Sequence, residues 1–306
     1  MRTRVTVGAF SPSVLLRVAR RTGALATTGL DVEETTVPSS PTQFRSLIDG
    51  TLDAVLTSPD NVIAYRYSPT NPLGRTVDAR IVAAVDRGLG LALYGRPGLT
   101  APGRGPTFGV DVPTSGFAFA LYALAEWLGL ERHDYRLATL GSTPRRLAAL
   151  LAGECDATLL NAGNELRAEL AGCPRLARVR DVCHPYLGTV LAVVGPDQLE
   201  PATRLAEALR ITAAAIVAGD LDEITSTEAG SALDLPPQSV RRHLDQLKDP
   251  DQGLVSDGRV DPNALRTVVE LRRRYHPDRP ARPARPDQPD ELAAALIPGS
   301  GLLGSP

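Results

Sequence analysis

Four short turns, rich in small hydroxyl and amide side chains, are the strongest candidates for a binding site in this sequence of 306 residues. They lie at residues 8–13, 57–61, 111–117 and 161–164. Each comes between a strand-like and a helix-like segment, where free backbone amides and side-chain hydroxyls can hold a polar or anionic group. Serine and asparagine at such positions also commonly act only as helix caps. The candidate ligand-binding residues, including one aromatic residue outside the four turns, are Phe10, Ser11, Ser13, Ser58, Asp60, Asn61, Thr114, Ser115, Gly116, Phe117, Asn161, Asn164 and Tyr186.

An internal duplication relates these turns to one another. Residues 40–61 align with residues 143–164 without a gap, at a constant offset of 103, and 7 of the 22 aligned positions are identical. Chance pairing of two such segments gives about one or two identities. The sequence therefore predicts two similar halves. In open α/β sheets ligands bind beyond the carboxyl ends of the strands, so we expect the turns of the two halves to face each other across a cleft.

The elements that position these turns alternate between strands and helices, which predicts an α/β fold. Helix starts are indicated by a hydroxyl residue followed by proline, because the hydroxyl caps the helix and proline needs no hydrogen-bond partner in its first turn. This pair occurs at four expected helix starts, Ser11-Pro12, Ser40-Pro41, Ser58-Pro59 and Thr143-Pro144. Residues 277–306 are rich in proline and arginine and poor in large apolar side chains, so a disordered tail is expected there.

Composition excludes several kinds of chemistry. The 33 basic and 35 acidic residues give a net charge of −2, so no overall positive field favours nucleic acid or an anionic membrane. The single lysine, Lys248, is not preceded by the glycine of a phosphate-binding loop, and neither a nucleophile elbow nor an H-E-x-x-H motif is present. The three cysteines contain no C-x-x-C pair, so neither a disulfide framework nor a zinc ribbon is indicated.

Four motifs carry a resemblance to a known family. They are Gly29-Leu-Asp-Val32 before a strand, the segment from Phe44 to Ala54, its counterpart from Leu150 to Ala157, and the segment from Asp261 to Leu271. Over residues 3–276 the chain resembles type II periplasmic binding proteins, in the branch of nitrate, taurine and alkanesulfonate binders and thiamine-pyrimidine synthase-like domains. The resemblance implies two α/β lobes with a cleft between them, each lobe a mostly parallel sheet flanked by helices. We expect residues 1–94 and 189–276 to form lobe 1, and residues 95–188 to form lobe 2.

The same resemblance implies a solute-binding protein that closes its lobes on a small polar or anionic metabolite and serves an ABC transporter. No cofactor, metal ion, nucleic acid or membrane insertion is expected, and the partners would be a small-molecule ligand and an ABC permease. The first strand-like segment begins close to Met1, so no signal peptide is expected in the sequence as written. A cytoplasmic location is therefore expected for the sequence as written, and an extracytoplasmic one if the true start lies upstream.

Two other functions stay open at this stage. A cytosolic enzyme of the same fold, of the decarboxylase or dehydratase type acting on a small organic acid, would use His184 or Asp60 for proton transfer. The pyridoxal-phosphate chemistry of some relatives is not expected, because Lys248 is misplaced for it. Residues 228–260 also resemble a winged helix-turn-helix with a basic recognition helix, which would indicate DNA binding.

Overall fold

Ten β-strands form two five-stranded sheets in the computed structural model, which describes residues 2–276 and Leu296. The strands are β1 (Thr3–Ala9), β2 (Leu30–Thr36), β3 (Ala54–Thr57), β4 (Ala79–Asp86), β5 (Ala92–Gly95), β6 (Thr107–Val110), β7 (Arg136–Thr139), β8 (Ala157–Leu160), β9 (Arg175–Arg178) and β10 (Thr189–Val194). The first sheet has the order β2-β1-β3-β10-β4 and the second has the order β7-β6-β8-β5-β9. In each sheet a single strand, β10 or β5, runs antiparallel to both of its neighbours, so four of the five strands share one direction.

Eleven α-helices flank these sheets within the described part of the chain. They are α1 (Val14–Arg21), α2 (Ala24–Thr27), α3 (Ser40–Ile48), α4 (Pro59–Tyr67), α5 (Gly116–Trp127), α6 (Thr143–Leu151), α7 (Asn164–Leu170), α8 (Leu199–Ala218), α9 (Asp222–Leu233), α10 (Pro237–Lys248) and α11 (Pro262–Tyr275). The two-lobed α/β architecture that the sequence motifs implied is confirmed.

The duplicated segments occupy equivalent places in the two sheets. Helix α6 and strand β8 begin and end 103 residues after α3 and β3, which is the offset found in the sequence. Strands β6, β7 and β8 also take the positions in the second sheet that β1, β2 and β3 take in the first. The two lobes therefore share the same topology for these three strands and this helix.

Helix capping differs in detail from the sequence expectation. Helix α1 is capped by Ser13, two residues after Ser11, and Ser39 caps α3, one residue before Ser40. Only Ser58 occupies the expected cap position, and Ser142 takes the place predicted for Thr143. Proline lies at the second helical position in α3 and α6 but before the cap in α1, so its position does not specify the cap to the residue.

The chain crosses between the sheets twice, at residues 87–91 and 182–188. Strand β5 pairs with β8 and β9, so the second sheet already begins at Ala92, within the range assigned in the sequence to lobe 1. Strand β10 returns the chain to the first sheet at Thr189, where the second predicted boundary lies. Residues 277–295 and 297–306, for which a disordered tail was predicted, lie outside the described residues.

The C-terminal helices connect the lobes as well as covering them. Helix α8 packs on the first sheet, α9 packs against α1, and α10 packs against α8 and α9. Helix α11 lies against α4 of the first lobe and α5 of the second. Both helices that α11 contacts begin at predicted site turns, so α11 helps to set the distance between those turns.

Candidate functional site

A cleft between the two sheets gathers turns from both lobes. The first lobe contributes residues 10–13 before α1, with Thr57, Ser58 and Asn61 around the start of α4. The second contributes residues 115–117 at the start of α5, with Ser142, Thr143, Arg146 and Asn161. The cleft holds about 990 Å³ of empty space, its open mouth included. That is room for a small organic molecule.

Nine of the thirteen predicted residues line this cleft. They are Phe10, Ser11, Ser13, Ser58, Asn61, Ser115, Gly116, Phe117 and Asn161. The four that do not line it are Asp60, Thr114, Asn164 and Tyr186. The duplicated turns thus meet in space, although several of their polar side chains hold the protein itself together.

Asp60 and Thr114 support the cleft wall from behind. The Asp60 carboxylate is fully buried and accepts two hydrogen bonds from Arg272 of α11, at 2.6 Å from Nε and 3.0 Å from Nη2. Arg272 also donates to the backbone carbonyl of Thr114, at 3.3 Å. Asp60 therefore serves as an ion-pair partner, a role that its position at a turn did not indicate.

Asn164 closes one edge of the cleft instead of lining it. Its Nδ2 donates to Ser11 Oγ of the other lobe at 3.1 Å and to the Asn161 carbonyl at 3.0 Å. Tyr186 lies in the second crossing segment, and burial raises its phenol pKa well above the ordinary value of 10. His184, two residues earlier, is exposed and lies outside the cleft lining. Neither proton-transfer group of the enzyme hypothesis, His184 or Asp60, faces the cleft.

Two of the cleft-lining serines of these turns also cap helices. Ser13 Oγ accepts a hydrogen bond from the Leu16 amide at 3.2 Å, and Ser115 Oγ accepts one from the Ala118 amide at 3.3 Å. These two cap their helices, as serine commonly does. Ser58 Oγ is buried and has no hydrogen-bond partner among the residues that the structure describes. An unpaired buried hydroxyl in a cleft wall is costly unless a ligand or water pairs with it.

Gly116 is needed because the two lobes approach closely at the start of α5. A Cβ atom at this position would lie 2.5 Å from Asp60 Cβ and 3.0 Å from Ser58 Oγ. Only a residue without a side chain lets the amino end of α5 come this close to the first turn of α4. The amino ends of two helices are thereby brought to one cleft, where both favour negative charge.

Arg146 is the charged group of the second lobe that sequence reasoning missed. The residue lines the cleft and is 3% exposed, and its guanidinium donates to Gly141 O at 2.6 Å, Thr143 Oγ1 at 3.0 Å and Leu159 O at 3.2 Å. Within the described ranges no carboxylate oxygen lies within 4 Å of it. Burial lowers its pKa to about 10, against the opposing effect of nearby Asp111, so the group stays positive at neutral pH. A buried cation without a salt-bridge partner is a ready binding site for an anion.

The equivalent position in the first lobe is Gln43, which lies 103 residues before Arg146. Its Nε2 donates to Gly8 O at 3.2 Å and to Leu56 O at 3.1 Å, and Leu56 is the counterpart of Leu159. The two helices thus place a long donor side chain at the same point, but only the second lobe makes it charged. Arg146 lies on the helix face that carries the buried Leu147 and Leu150. A charged residue on a buried helix face is the sequence signal that could have identified Arg146 as a site residue.

Two carboxylates also line the cleft. Asp111 Oδ2 accepts a hydrogen bond from the Ser40 amide of the other lobe at 3.3 Å, while its buried Oδ1 has no partner among residues 2–276. Asp86 Oδ1 accepts one from the Gly88 amide at 2.8 Å, and burial raises the Asp86 pKa to about 6. The cleft therefore offers acceptors for N–H or O–H groups in addition to the Arg146 cation.

The C-terminal part of the chain supplies a further wall that the sequence did not predict. His243 and Leu247 of α10, with Leu254 just after it, line the cleft. Burial lowers the His243 pKa to about 4, so its imidazole is neutral at pH 7. Its position on the buried face of α10, between Val240 and Leu247, indicated burial from the sequence pattern but not proximity to the cleft.

Glu165, at the start of α7 beside the cleft, gives the protein a pH-dependent stability. Its carboxyl is buried near Gln246 of α10 and Glu169 of α7, and burial raises its pKa from 4.5 to about 8. The native state therefore keeps a proton that the unfolded state has lost, so stability falls as pH rises from 6.5 to 8. The expected loss is about 2 kcal/mol, at ~1.4 kcal/mol per pH unit. His243, with its lowered pKa, has the opposite effect but mainly below pH 6.5.

Urea unfolding at pH 6.5, 7.25 and 8 measures this slope. The matched variant Glu165→Gln should remove most of the decline, because its amide does not titrate. An equal slope in the two proteins would show that other groups control stability in this range.

No protein-family model and no curated protein matches this chain, but solved structures share its architecture. It is similar to the nitrate-binding protein NrtA of Synechocystis PCC 6803, with a TM-score of 0.74 and 13% identity, over 97% of this chain and 86% of that one. The alkanesulfonate-binding protein SsuA of Xanthomonas axonopodis pv. citri, bound to MOPS, gives a TM-score of 0.69 and 15% identity, over 91% and 96% of the two chains. A zinc-bound ligand-binding component of an ABC-type import system from Staphylococcus aureus gives 0.70 and 14%, over 91% and 94%.

These similarities show that the chain has the two-lobed fold of type II periplasmic binding proteins. The resemblance carried by the sequence motifs is thus confirmed at the level of the fold. The three neighbours named above are solute-binding proteins, and what each binds is a property of that neighbour.

The segment compared with a winged helix-turn-helix contains two helices joined by a short turn, but its supposed wing pairs with the first sheet. Residues 228–260 form the end of α9, helix α10 and a loop whose Val255 amide donates to Val85 O of the first sheet at 2.9 Å. On α10, Arg242 pairs with Glu169 at 2.6 Å and Lys248 pairs with Asp222 at 2.6 Å. The supposed wing is therefore an extension at the edge of a sheet, and two of the basic side chains of α10 already have carboxylate partners.

Among the described residues no helix combines the length and the hydrophobicity needed to cross a bilayer.

Proposed function

We propose that this protein binds a small polar or anionic solute in the cleft and closes its lobes around it. The observation that carries the proposal is Arg146, a buried cation that lines the cleft and has no carboxylate within 4 Å in the described part of the chain. The anionic group of the solute would pair with this guanidinium and with the amino ends of α4 and α5. Hydrogen bonds to a charged group in a water-poor site contribute about 1.5 to 3 kcal/mol each.

Direct contacts between the lobes support closure as part of the mechanism. The Ser142 amide donates to Pro38 O at 2.9 Å, the Ser40 amide donates to Asp111 Oδ2, and Asn164 donates to Ser11. Each of these bonds joins the first lobe to the second across the cleft. A solute held between the lobes would be enclosed by them, and rotation about the two crossing segments would release it.

Delivery to an ABC permease is the form of solute binding that the structural neighbours favour. Such a role needs a ligand and a membrane partner but no cofactor. It also requires the protein to reach the extracytoplasmic face, which detection of the protein in a periplasmic or secreted fraction would test.

The enzyme hypothesis receives less support. Asp60 is fixed by Arg272, and His184 is exposed outside the cleft. Native mass spectrometry of the purified protein incubated with a metabolite extract distinguishes the two functions. A carrier should retain a compound of unchanged mass, whereas recovery of the compound only in altered form would favour catalysis.

A blocked-cleft variant locates the site. Ser11→Trp should place an indole in the cleft and reduce binding of nitrate, sulfate, taurine or any other solute that the wild type binds by at least about tenfold, or ~1.4 kcal/mol. The control is Ser231→Trp on the exposed face of α9. Isothermal titration calorimetry of the three proteins makes the comparison. Unchanged affinity in a folded Ser11→Trp protein would place binding elsewhere.

A further inference from the structure

The start of α7 is a contact between the two lobes. Helix α7 follows β8 and so belongs to the second lobe, but its Leu166 is fully buried in the hydrophobic core of the first lobe. A Cβ atom at Gly163, the residue before α7, would lie 2.6 Å from Leu233 of α9. Asn164 donates to Ser11 Oγ of the first lobe. The first turn of α7 is therefore enclosed by parts of the chain that belong to the other lobe.

Glu165 places a carboxyl group without a partner in this contact. The residue is 1% exposed, and neither carboxylate oxygen has a hydrogen-bond partner among the residues that the structure describes. A Cβ atom at Gly90 would lie 3.1 Å from Glu165 Oε1 and 2.7 Å from Gln246 Nε2, so Gln246 of α10 lies beside the carboxyl group. An ionised carboxylate is costly in such a setting, whereas the protonated acid is neutral.

The same contact also contains an acceptor for the proton of that acid. Gln246 Oε1 is buried and has no hydrogen-bond partner within residues 2–276. A protonated carboxyl group has an O–H donor that an ionised one lacks. Protonated Glu165 can therefore share a hydrogen bond with Gln246 across the contact, which joins α7 of the second lobe to α10.

The charges around Glu165 leave it without a counter-ion. The titratable and charged groups on the surrounding elements are Arg87 of the first crossing segment, Tyr94 of β5, Glu169 of α7, Asp234 after α9, and Arg242 and His243 of α10. Arg242 pairs with Glu169 at 2.6 Å, and His243 is neutral at pH 7. Burial raises the pKa of Glu165 to about 8, and the nearby charge of Glu169 adds to the effect. Glu165 therefore holds a proton at pH 7 while the lobes are in contact.

We infer that closure of the lobes takes up a proton at Glu165, so that solute binding is coupled to proton binding. When the lobes part, the start of α7 separates from Gln246, water reaches the carboxyl group, and the group ionises. A proton held only by the closed form favours closure at low pH, and this advantage is lost as pH rises to the value at which the buried group ionises. The inference rests on the proposed function and adds its regulation by pH. The pH-dependent stability attributed to Glu165 is then a property of the closed form.

The distance between the lobes tests the coupling without any solute. Arg45 of α3 and Ala148 of α6 are exposed and lie at equivalent places in the duplication, while the three native cysteines are buried. Spin labels on the double variant Arg45→Cys with Ala148→Cys therefore measure the separation of the lobes by double electron–electron resonance.

The expected shift follows from the two pKa values of Glu165, about 8 in the closed form and its ordinary 4.5 in the open form. The ratio of closed to open molecules should fall about tenfold from pH 7 to pH 9. Asp86, with a pKa of about 6, and His243, with a pKa of about 4, have largely completed their titration by pH 7.

Glu165→Gln assigns the proton to this residue. Its amide has the shape of the protonated acid and does not titrate, so the labelled variant should give the same distances at pH 7 and pH 9 and stay in the more closed form. The control is Glu154→Gln, which removes an exposed carboxylate of the same lobe and should keep the pH dependence of the wild type.

Titration calorimetry counts the proton. Nitrate and sulfate keep a fixed charge in this range, and two cationic buffers of different ionisation enthalpy give the number of protons taken up with each bound anion. We expect about 0.9 proton at pH 7 and about 0.5 at pH 8, with a fall in affinity of about fivefold between them. Glu165→Gln should take up almost none and show little change in affinity.

The outcomes are distinct. A closed-to-open ratio that is independent of pH in the wild type, or anion binding without proton uptake, overturns the inference. A pH dependence that persists in folded Glu165→Gln assigns the proton to another group and overturns the role of Glu165. Absence of nitrate and sulfate binding at millimolar concentration contradicts the anion-binding form of the proposed function, and the distance measurement still decides the coupling.

Discussion

Arg146→Gln should abolish anion binding while leaving the fold in place. We expect the affinity for an anion bound by the wild type to fall by about 100-fold or more, which corresponds to ~3 kcal/mol. The physical reason is that the variant removes the single described cation of the cleft lining and with it the charge-assisted hydrogen bonds to the ligand. A neutral amide cannot replace these, because its interaction with an anion lacks the Coulombic component.

The duplication supplies the reason for choosing glutamine. At the equivalent place in the first lobe Gln43 is fully buried and donates to the Leu56 carbonyl, as Arg146 donates to that of Leu159. A glutamine at 146 can therefore satisfy the Leu159 carbonyl in a setting where the protein already tolerates one. Loss of the buried charge removes a desolvation penalty, while the Gly141 carbonyl loses its hydrogen bond, so the melting temperature should change little.

The control variant is Arg145→Gln, one residue earlier on α6, where the side chain is exposed. It makes the same change in net charge without touching the cleft. Calorimetric titration of both variants separates a local contact from a general electrostatic effect. Equal losses in the two proteins, or full binding by folded Arg146→Gln, would exclude Arg146 as the anion site.

The sequence predicted the parts of this architecture that depend on local periodicity. The repeat at an offset of 103 gave the equivalence of α3 with α6 and of β3 with β8, because duplicated helices and strands conserve their small and apolar positions. The turns that follow these strands could be located for the same reason. Three of the five residues predicted there, Ser58, Asn61 and Asn161, line the cleft.

What the sequence did not provide is the partner of each polar side chain. Asp60 was interpreted as a ligand-binding residue, yet its partner Arg272 lies 212 residues further along the chain. No local pattern reports a contact of that separation. His243 and Leu247 were missed for a related reason, since their helical spacing predicts burial equally well in a core and in a cleft wall.

Removing the Arg272 guanidinium should lower the free energy of unfolding strongly. Arg272→Gln leaves the Asp60 carboxylate, which is fully buried, without either of its two guanidinium hydrogen bonds. Breaking a buried ion pair from one side costs about 3 to 5 kcal/mol, because an uncompensated charge remains in a medium of low polarity. The free energy of unfolding, from urea denaturation at pH 7, measures the loss.

The double variant Asp60→Asn with Arg272→Gln separates the effect of the buried charge from the effect of the hydrogen bond between Arg272 and the Thr114 carbonyl of the second lobe. It removes both charges, so much of the stability should return, although the bond from Arg272 to the Thr114 carbonyl stays lost. Arg266→Gln, on the same helix, serves as the control. Among the described residues, the Arg266 side chain forms one hydrogen bond, an exposed one to the side chain of Asn263. A double variant as unstable as Arg272→Gln would mean that the hydrogen bonds of Arg272, and not the neutralisation of the Asp60 charge, provide the stability.

Anion affinity in the same variants reports on the cleft. Asp60 Cβ lies 2.5 Å from the place where a Gly116 Cβ would be, so its carboxylate sits directly behind the wall where α4 and α5 begin. An unpaired negative charge there should oppose an anion at the Arg146 end, and like charges several ångströms apart in a partly buried site interact by a few kcal/mol. Arg272→Gln is therefore expected to weaken anion binding at least tenfold, and the neutral double variant to recover most of it. Restored stability without restored affinity would show that Arg272 positions the lobes for binding through its contact with Thr114.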